Sequence, residues 1–191
     1  MLSSVPALGA EDCPKSFPSW HRVVEDRLKS SGLGYTILRP NGFMQNVLTR
    51  AQGAFYAALG NAKISHADVR DVAAVAARVL QSPGDPTGKT YELNGPEAVS
   101  NTELAHRISL AAGRTVTYVD IPETAQRKSM LELGMPEWRV NAILDLPQYY
   151  VQGGGDKVTG LLPELLGRAP IHLDSFLAEF KDHFRARSAI S

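Results

Sequence analysis

With one cysteine in 191 residues, Cys13, the chain has no internal disulfide and no cysteine-based zinc cluster. That excludes a disulfide-stapled secreted scaffold and suits a reducing cytosol. An excess of charge of one sign is also missing, because 20 basic residues stand against 20 acidic ones. Such a surface carries no broad field for tracking a phosphate backbone or holding an anionic membrane, which argues against nucleic-acid and membrane partners. No apolar run approaches the roughly 18 residues of a bilayer span, and no basic stretch followed by an apolar one opens the sequence. A soluble, cytoplasmic globular protein is expected.

What is present is an alternation of helix and strand signals. Residues 1–5 read as the end of a buried strand running into a loop rich in Pro, Gly and Asp. Over residues 20–29, Trp20, Val23, Val24 and Leu28 recur at helical spacing, with Ser19 as N-cap and Gly32 as stop. Residues 35–38 form an apolar strand that Arg39-Pro40 should end, since proline lacks the N–H a ladder needs. A helix is predicted over 71–80, a strand over 89–93, and a helix opened by a Ser100/Glu103 capping box and stopped at Gly113. A β-branched strand over 115–119 follows. Beyond Pro122 the pattern is helical over 123–133, 137–151 and 173–184, with Gly153-Gly154-Gly155 as a flexible spacer. The fold class implied is α/β: a partial Rossmann-like parallel sheet over residues 1–121, then a small helical substrate lobe over 122–191 that closes on the sheet's carboxyl edge.

Several strings carry a resemblance. Trp20-His21-Arg22-Val23-Val24-Glu25, Tyr35-Thr36-Ile37-Leu38-Arg39-Pro40, Phe43-Met44-Gln45-Asn46, Asp68-Val69-Arg70-Asp71-Val72-Ala73 and Gly167-Arg168-Ala169-Pro170 occur in the order shown by the NmrA-like branch of the atypical short-chain dehydrogenase/reductases. The chain closely resembles that branch over nearly all of its length. The resemblance implies a Rossmann superfamily protein that uses NADP or NAD to reduce a small organic acceptor such as a quinone or an imine. Two alternatives stay open: a nucleotide-sensing protein that binds NAD(P) without turning it over, and an inactive truncated fragment. Members of the branch begin with a βαβ unit bearing a Gly-x-x-Gly-x-x-Gly phosphate loop, and this sequence has none, so about 100 upstream residues of the family domain are expected to be missing. A sheet edge left bare in that way would invite self-association.

The resemblance also points to individual residues. Counting back from Glu25 places His21 where the superfamily has its lysine, Phe17 where it has the proton-donating tyrosine, and Ser4 near its serine. Phe17 cannot donate a proton. His21 is the catalytic candidate, able to hold a ribose hydroxyl or protonate a product, unless it is a bystander on a helix surface. Ser4 either joins it or bonds a turn amide. The turn Pro40-Asn41-Gly42-Phe43 would border the nicotinamide, with glycine permitting close backbone approach, or form a tight turn over the core. Asn46 and Trp138 are candidates for the substrate pocket, the former unless it simply caps a short helix, the latter with Tyr149 and Tyr150 as a roof or as ordinary core. Arg39 is expected in a buried ion pair with Asp68 or Asp71. His66, Asp68 and Asp71 are not read as a metal cluster, and no metal is expected.

Overall fold

The computed structural model describes residues 1–4, 17–50, 53–81 and 88–185. Helix α1 (Phe17–Lys29) turns through Gly32, at φ 75°, into strand β1 (Thr36–Pro40). β1 lies parallel to β4 (Lys89–Leu93), Ile37 opposite Thr90 and Pro40 opposite Leu93, and helix α2 (Val69–Gln81) makes the crossover between them. On the other side of β1, Leu2 bridges Leu38 in parallel, with Ser3 N–H donating to the Leu38 carbonyl at 2.7 Å and Leu38 N–H to that of Met1 at 2.9 Å. The strand runs two residues past the expected stop. Pro40 occupies the last rung, and the Asn41 N–H supplies the next bond, to Leu93 O at 3.2 Å.

Two further strand pairs are present: β2 (Ala54–Ala57) parallel to β6 (Thr117–Asp120), and β3 (Lys63–Ile64) antiparallel to β5 (Val99–Ser100). Among the described residues the strands thus form three two-stranded pieces, two of them parallel and one antiparallel. A 3-10 helix, Met44–Arg50, leaves the carboxyl end of β1. Helix α3 (Asn101–Ala112) carries the expected capping box and ends on Gly113 at φ 67°. β6 starts later than its β-branched sequence suggests because the Ser109 hydroxyl takes the Val116 N–H at 2.8 Å.

The remaining helices are α4 (Glu123–Glu132), α5 (Glu137–Val151), α6 (Leu161–Leu166), α7 (Leu173–Glu179) and α8 (Lys181–Arg185). The helix expected over 173–184 breaks at Phe180, and the bend lets Phe176, Leu177 and Phe184 enter one core with Met44, Val47, Leu104 and Ile108. A second core joins Leu38 and Leu93 of the sheet to Val72, Val75, Leu162 and Leu166. The glycines at 153–155 are no flexible spacer. Gly155 is buried, its carbonyl accepts from Asn41 Nδ2 at 2.9 Å and from the Ser65 N–H at 2.9 Å, and a Cβ on Gly154 would strike the Tyr149 ring at 2.3 Å.

Helix α1 is turned opposite to its apolar periodicity. Val23 and Val24 are exposed, whereas Pro18, Ser19 and Glu25 are buried. The cause lies in β1, where Arg39 is 4% exposed. A guanidinium so placed requires a carboxylate. Glu25 provides it, and that demand outweighs burial of two valines.

Candidate functional site

The expected partner of Arg39 was Asp68 or Asp71; the structure corrects this to Glu25. Arg39 Nε donates to Glu25 Oε1 at 2.8 Å and Arg39 Nη2 to Oε2, giving the fork geometry suited to a buried carboxylate. The Ser3 hydroxyl also donates to Oε1, and Lys29 Nζ stands 3.5 Å from Oε2. Burial alone would raise the Glu25 carboxyl; the Arg39 and Ser3 hydrogen bonds outweigh it and bring the pKa down from 4.5 to about 2. This cluster ties the first residues, α1 and β1 together.

One residue along from Ser3 and one helical turn before Glu25, the Ser4 hydroxyl meets His21 Nδ1 at 2.8 Å. The structure therefore brings together the two catalytic candidates, which are 17 residues apart in sequence. Either tautomer serves this bond, since a hydroxyl both donates and accepts, and Nε2 remains for another group. On the same helix, Phe17 sets its ring edge-on to Trp20 at 5.1 Å, and Trp20 faces Trp138 of α5 at 6.1 Å. Trp138 is 59% exposed and so is not part of the core. Tyr150 is buried, and Tyr149 packs beside it.

The Pro40–Phe43 turn adjoins this cluster through Arg39, but its own bonds run elsewhere. Asn41 is 5% exposed and spends its amide N–H groups on Ser65 Oγ and the Gly155 carbonyl, each at 2.9 Å, leaving Oδ1 unpaired. Gly42 O accepts from the Ala67 N–H at 2.8 Å, and Phe43 forms a bridge to Ala67. A Cβ on Gly42 would lie 2.9 Å from the His66 ring, so glycine here makes room for a neighbouring side chain. His66 is 6% exposed; burial first, and the nearby Arg50 cation second, lower its pKa from 6.5 to about 4. Its Nδ1 has no partner. Arg50 itself bonds Asn101 Oδ1 at 2.6 Å and lies 5.0 Å over the Phe55 ring. Asn46 is exposed on the 3-10 helix.

The carboxylates of the Asp68–Ala73 string act as braces. Asp68 accepts from the Arg70 side chain and from Gln45 Nε2 at 3.0 Å, while Asp71 accepts from Arg168 Nη2 and the Ile171 N–H, both at 2.7 Å. Among the described residues no group of three or more His, Cys, Asp or Glu side chains is placed to hold a metal, and no helix is long and apolar enough to cross a membrane. Sequence reasoning missed Glu25, Ser3 and Trp20 as parts of the site. The only forewarning was that Trp20 stands next to His21 in the sequence.

No protein-family model matches the chain. Individual proteins do. It is 37% identical over 167 residues to an NAD(P)H azoreductase of Xenophilus azovorans, a match covering 83% of this chain and 57% of that protein. It is 32% identical over 181 residues to quinone oxidoreductase 2 of Escherichia coli, covering 92% and 62%. A crystal structure of the NADPH-dependent quinone oxidoreductase from Escherichia coli complexed with NADPH superposes with a TM-score of 0.81 at 29% identity, covering 94% of this chain and 64% of that one. The NmrA negative transcriptional regulator in complex with NAD shares the fold at a TM-score of 0.61 and 15% identity. The chain thus spans about three-fifths of the length of these proteins.

Proposed function

The chain belongs to the NmrA-like branch of the atypical short-chain dehydrogenase/reductases, and from this we propose that it serves NAD(P)H-dependent transfer of hydride to a small organic acceptor such as a quinone or an imine. The observation that carries the reading is the identity of 37% and 32% to an NAD(P)H azoreductase and a quinone oxidoreductase. The joined Ser4–His21 pair supports it. We place residues 1–121 in the Rossmann-like part and 122–191 in a helical lobe, and the protein in the cytosol. The outer edge of the Met1–Ser3 segment, which has no strand partner among the described residues, is a surface for self-association.

The residues present fit one end of the dinucleotide better than the other. The loop at the carboxyl end of β1 lies where parallel sheets receive ligands, but the described residues include no strand, glycine-rich turn and helix for a pyrophosphate. When bound, NADPH supplies the hydride. The work of this chain is on the acceptor side. Ser4 fixes the His21 ring through Nδ1, His21 Nε2 holds a proton for the reduced oxygen or nitrogen of the acceptor, and the Arg39–Glu25 pair fixes the helix bearing that ring. Trp20 and Trp138 supply apolar surface beside it.

With a pyrophosphate-binding Rossmann half of the family domain joined to these residues, incubation with NADPH and a benzoquinone is expected to give acceptor-dependent loss of the reduced-nicotinamide absorbance. His21→Ala should slow it by about 100-fold, the lower end of what a positioned acid contributes, and Ser4→Ala by less. An unchanged rate in His21→Ala removes His21 from the mechanism. The carbon ring of Phe17 at the position of the superfamily's tyrosine favours a second reading, a non-catalytic NAD(P) sensor. NADPH binding without any acceptor-dependent oxidation would establish that one instead.

A further inference from the structure

The first turns of α1 and α5 meet in an aromatic cleft. The Trp20 and Trp138 rings stand 6.1 Å apart and 47° from parallel, so they form an open V in place of a closed stack. Phe17 backs Trp20 edge-on at 87°. A cavity of about 310 Å³ lies here, lined by Trp20, Glu137, Trp138 and Asn141. Both indoles keep accessible faces, at 39% and 59% exposure. The chain places all of its tryptophan at this one spot.

The charges around the cleft decide what it suits. Glu137, the first residue of α5, has no ion-pair or hydrogen-bond partner among the described residues. Asn141, one turn further, has its Oδ1 occupied by Arg127 Nη1 at 2.6 Å. Arg127 therefore reaches the wall through Asn141. A neutral aromatic guest would gain contact area and a modest ring–ring attraction from the indoles. A cationic guest gains more, because ring faces attract a positive charge within about 6 Å of their centroids and the free carboxylate adds to that attraction.

We infer that Trp20, Trp138 and Glu137 form a binding site for a small organic cation, an alkylated ammonium or iminium group carried on an apolar body. The site stands on its own geometry and requires neither hydride transfer nor a bound dinucleotide. Because Trp20 and Trp138 also supply the apolar surface of the proposed acceptor side, the inference rests in part on that reading; cation binding without NADPH tests the cleft alone, and turnover tests the reaction.

Because both tryptophans line the site, selective indole excitation reports on it directly. The 191-residue chain would be titrated with benzyltrimethylammonium chloride and, in parallel, with the uncharged isostere 2-methyl-1-phenylpropan-2-ol. Saturable quenching is expected for the cation, at an affinity about tenfold above that of the alcohol. Glu137→Gln should remove most of that preference while leaving alcohol binding unchanged. Trp138→Ala, with Trp20 as the remaining reporter, should weaken the cation about tenfold. Both replaced side chains are exposed, and unchanged thermal unfolding will show that the fold is retained. Equal affinities for cation and alcohol, an unaltered preference in Glu137→Gln, or the absence of saturable quenching would each overturn the inference. So would fluorescence that depends on protein concentration and ignores the cation, which would mean that a second copy of the chain fills the cleft.

Discussion

Glu25→Ala is expected to lower the unfolding free energy by about 3–5 kcal/mol, the range seen when one member of a buried ion pair is removed. Glu25 is fully buried, and its loss strands the Arg39 guanidinium, itself 4% exposed, together with the Ser3 hydroxyl. Most of the cost is that of an uncompensated buried cation. The double variant Glu25→Leu/Arg39→Met should therefore recover much of the stability, which urea unfolding of all three proteins would check. If the single variant unfolds at the wild-type urea concentration, Arg39 has another partner and the inward face of α1 has a different cause. The pair also has a pH signature. The folded pKa of about 2 lies below the ordinary 4.5, so its stabilisation is complete above about pH 4.5 and is lost as pH falls toward 2 and below. The gap between wild type and Glu25→Ala should close over that window.

Glu25 shows how far local pattern reaches. Helix α3 was legible to the residue because both of its caps are local: Ser100 and Glu103 bond each other's backbone N–H groups, and Gly113 takes the left-handed conformation a terminus favours. The α5 boundaries were equally readable, Glu137 to Val151, since prolines and glycines flank a helical run. The orientation of α1 was not, because it depends on a charge 14 residues away on a strand. Periodicity measures which face is apolar; here a buried arginine decided which face turned inward. Strands β2 and β3 were missed for a related reason. They have four and two residues, and their partners β6 and β5 come much later in the chain, so no local alternation marks them. In the candidate site, the pairing of Ser4 with His21 was indicated only by the family resemblance, while the Trp20–Trp138 contact required knowing how α5 crosses α1.

Gly95→Ala should rank with Glu25→Ala in its effect, for an unrelated reason. Gly95 follows β4, and its N–H donates to the Ser65 carbonyl at 3.2 Å. A Cβ at this position would fall 1.9 Å from the His66 carbonyl oxygen and 2.5 Å from its carbon. Both are backbone atoms, so no rotamer change relieves the overlap and the two segments must separate. A destabilisation of about 3 kcal/mol is expected, at the upper end of ordinary overpacking. Gly113→Ala supplies the contrast: that glycine has φ 67° and open space around its missing Cβ, so only the left-handed penalty of about 1–2 kcal/mol applies. The clash at Gly95 has a further consequence, because Ala67 holds the turn after β1 through its N–H to Gly42 O and its carbonyl to the Met44 N–H. Displacing residues 65–67 loosens the burial that keeps the His66 pKa at about 4. In the wild type that depressed value makes the His66 contribution full above about pH 6.5 and lost as pH falls toward 4. In Gly95→Ala the imidazole should titrate closer to 6.5, which NMR of the ring protons would detect. A wild-type titration in a protein destabilised by 3 kcal/mol would mean that the strain is absorbed at β4 and never reaches the strand-end loop.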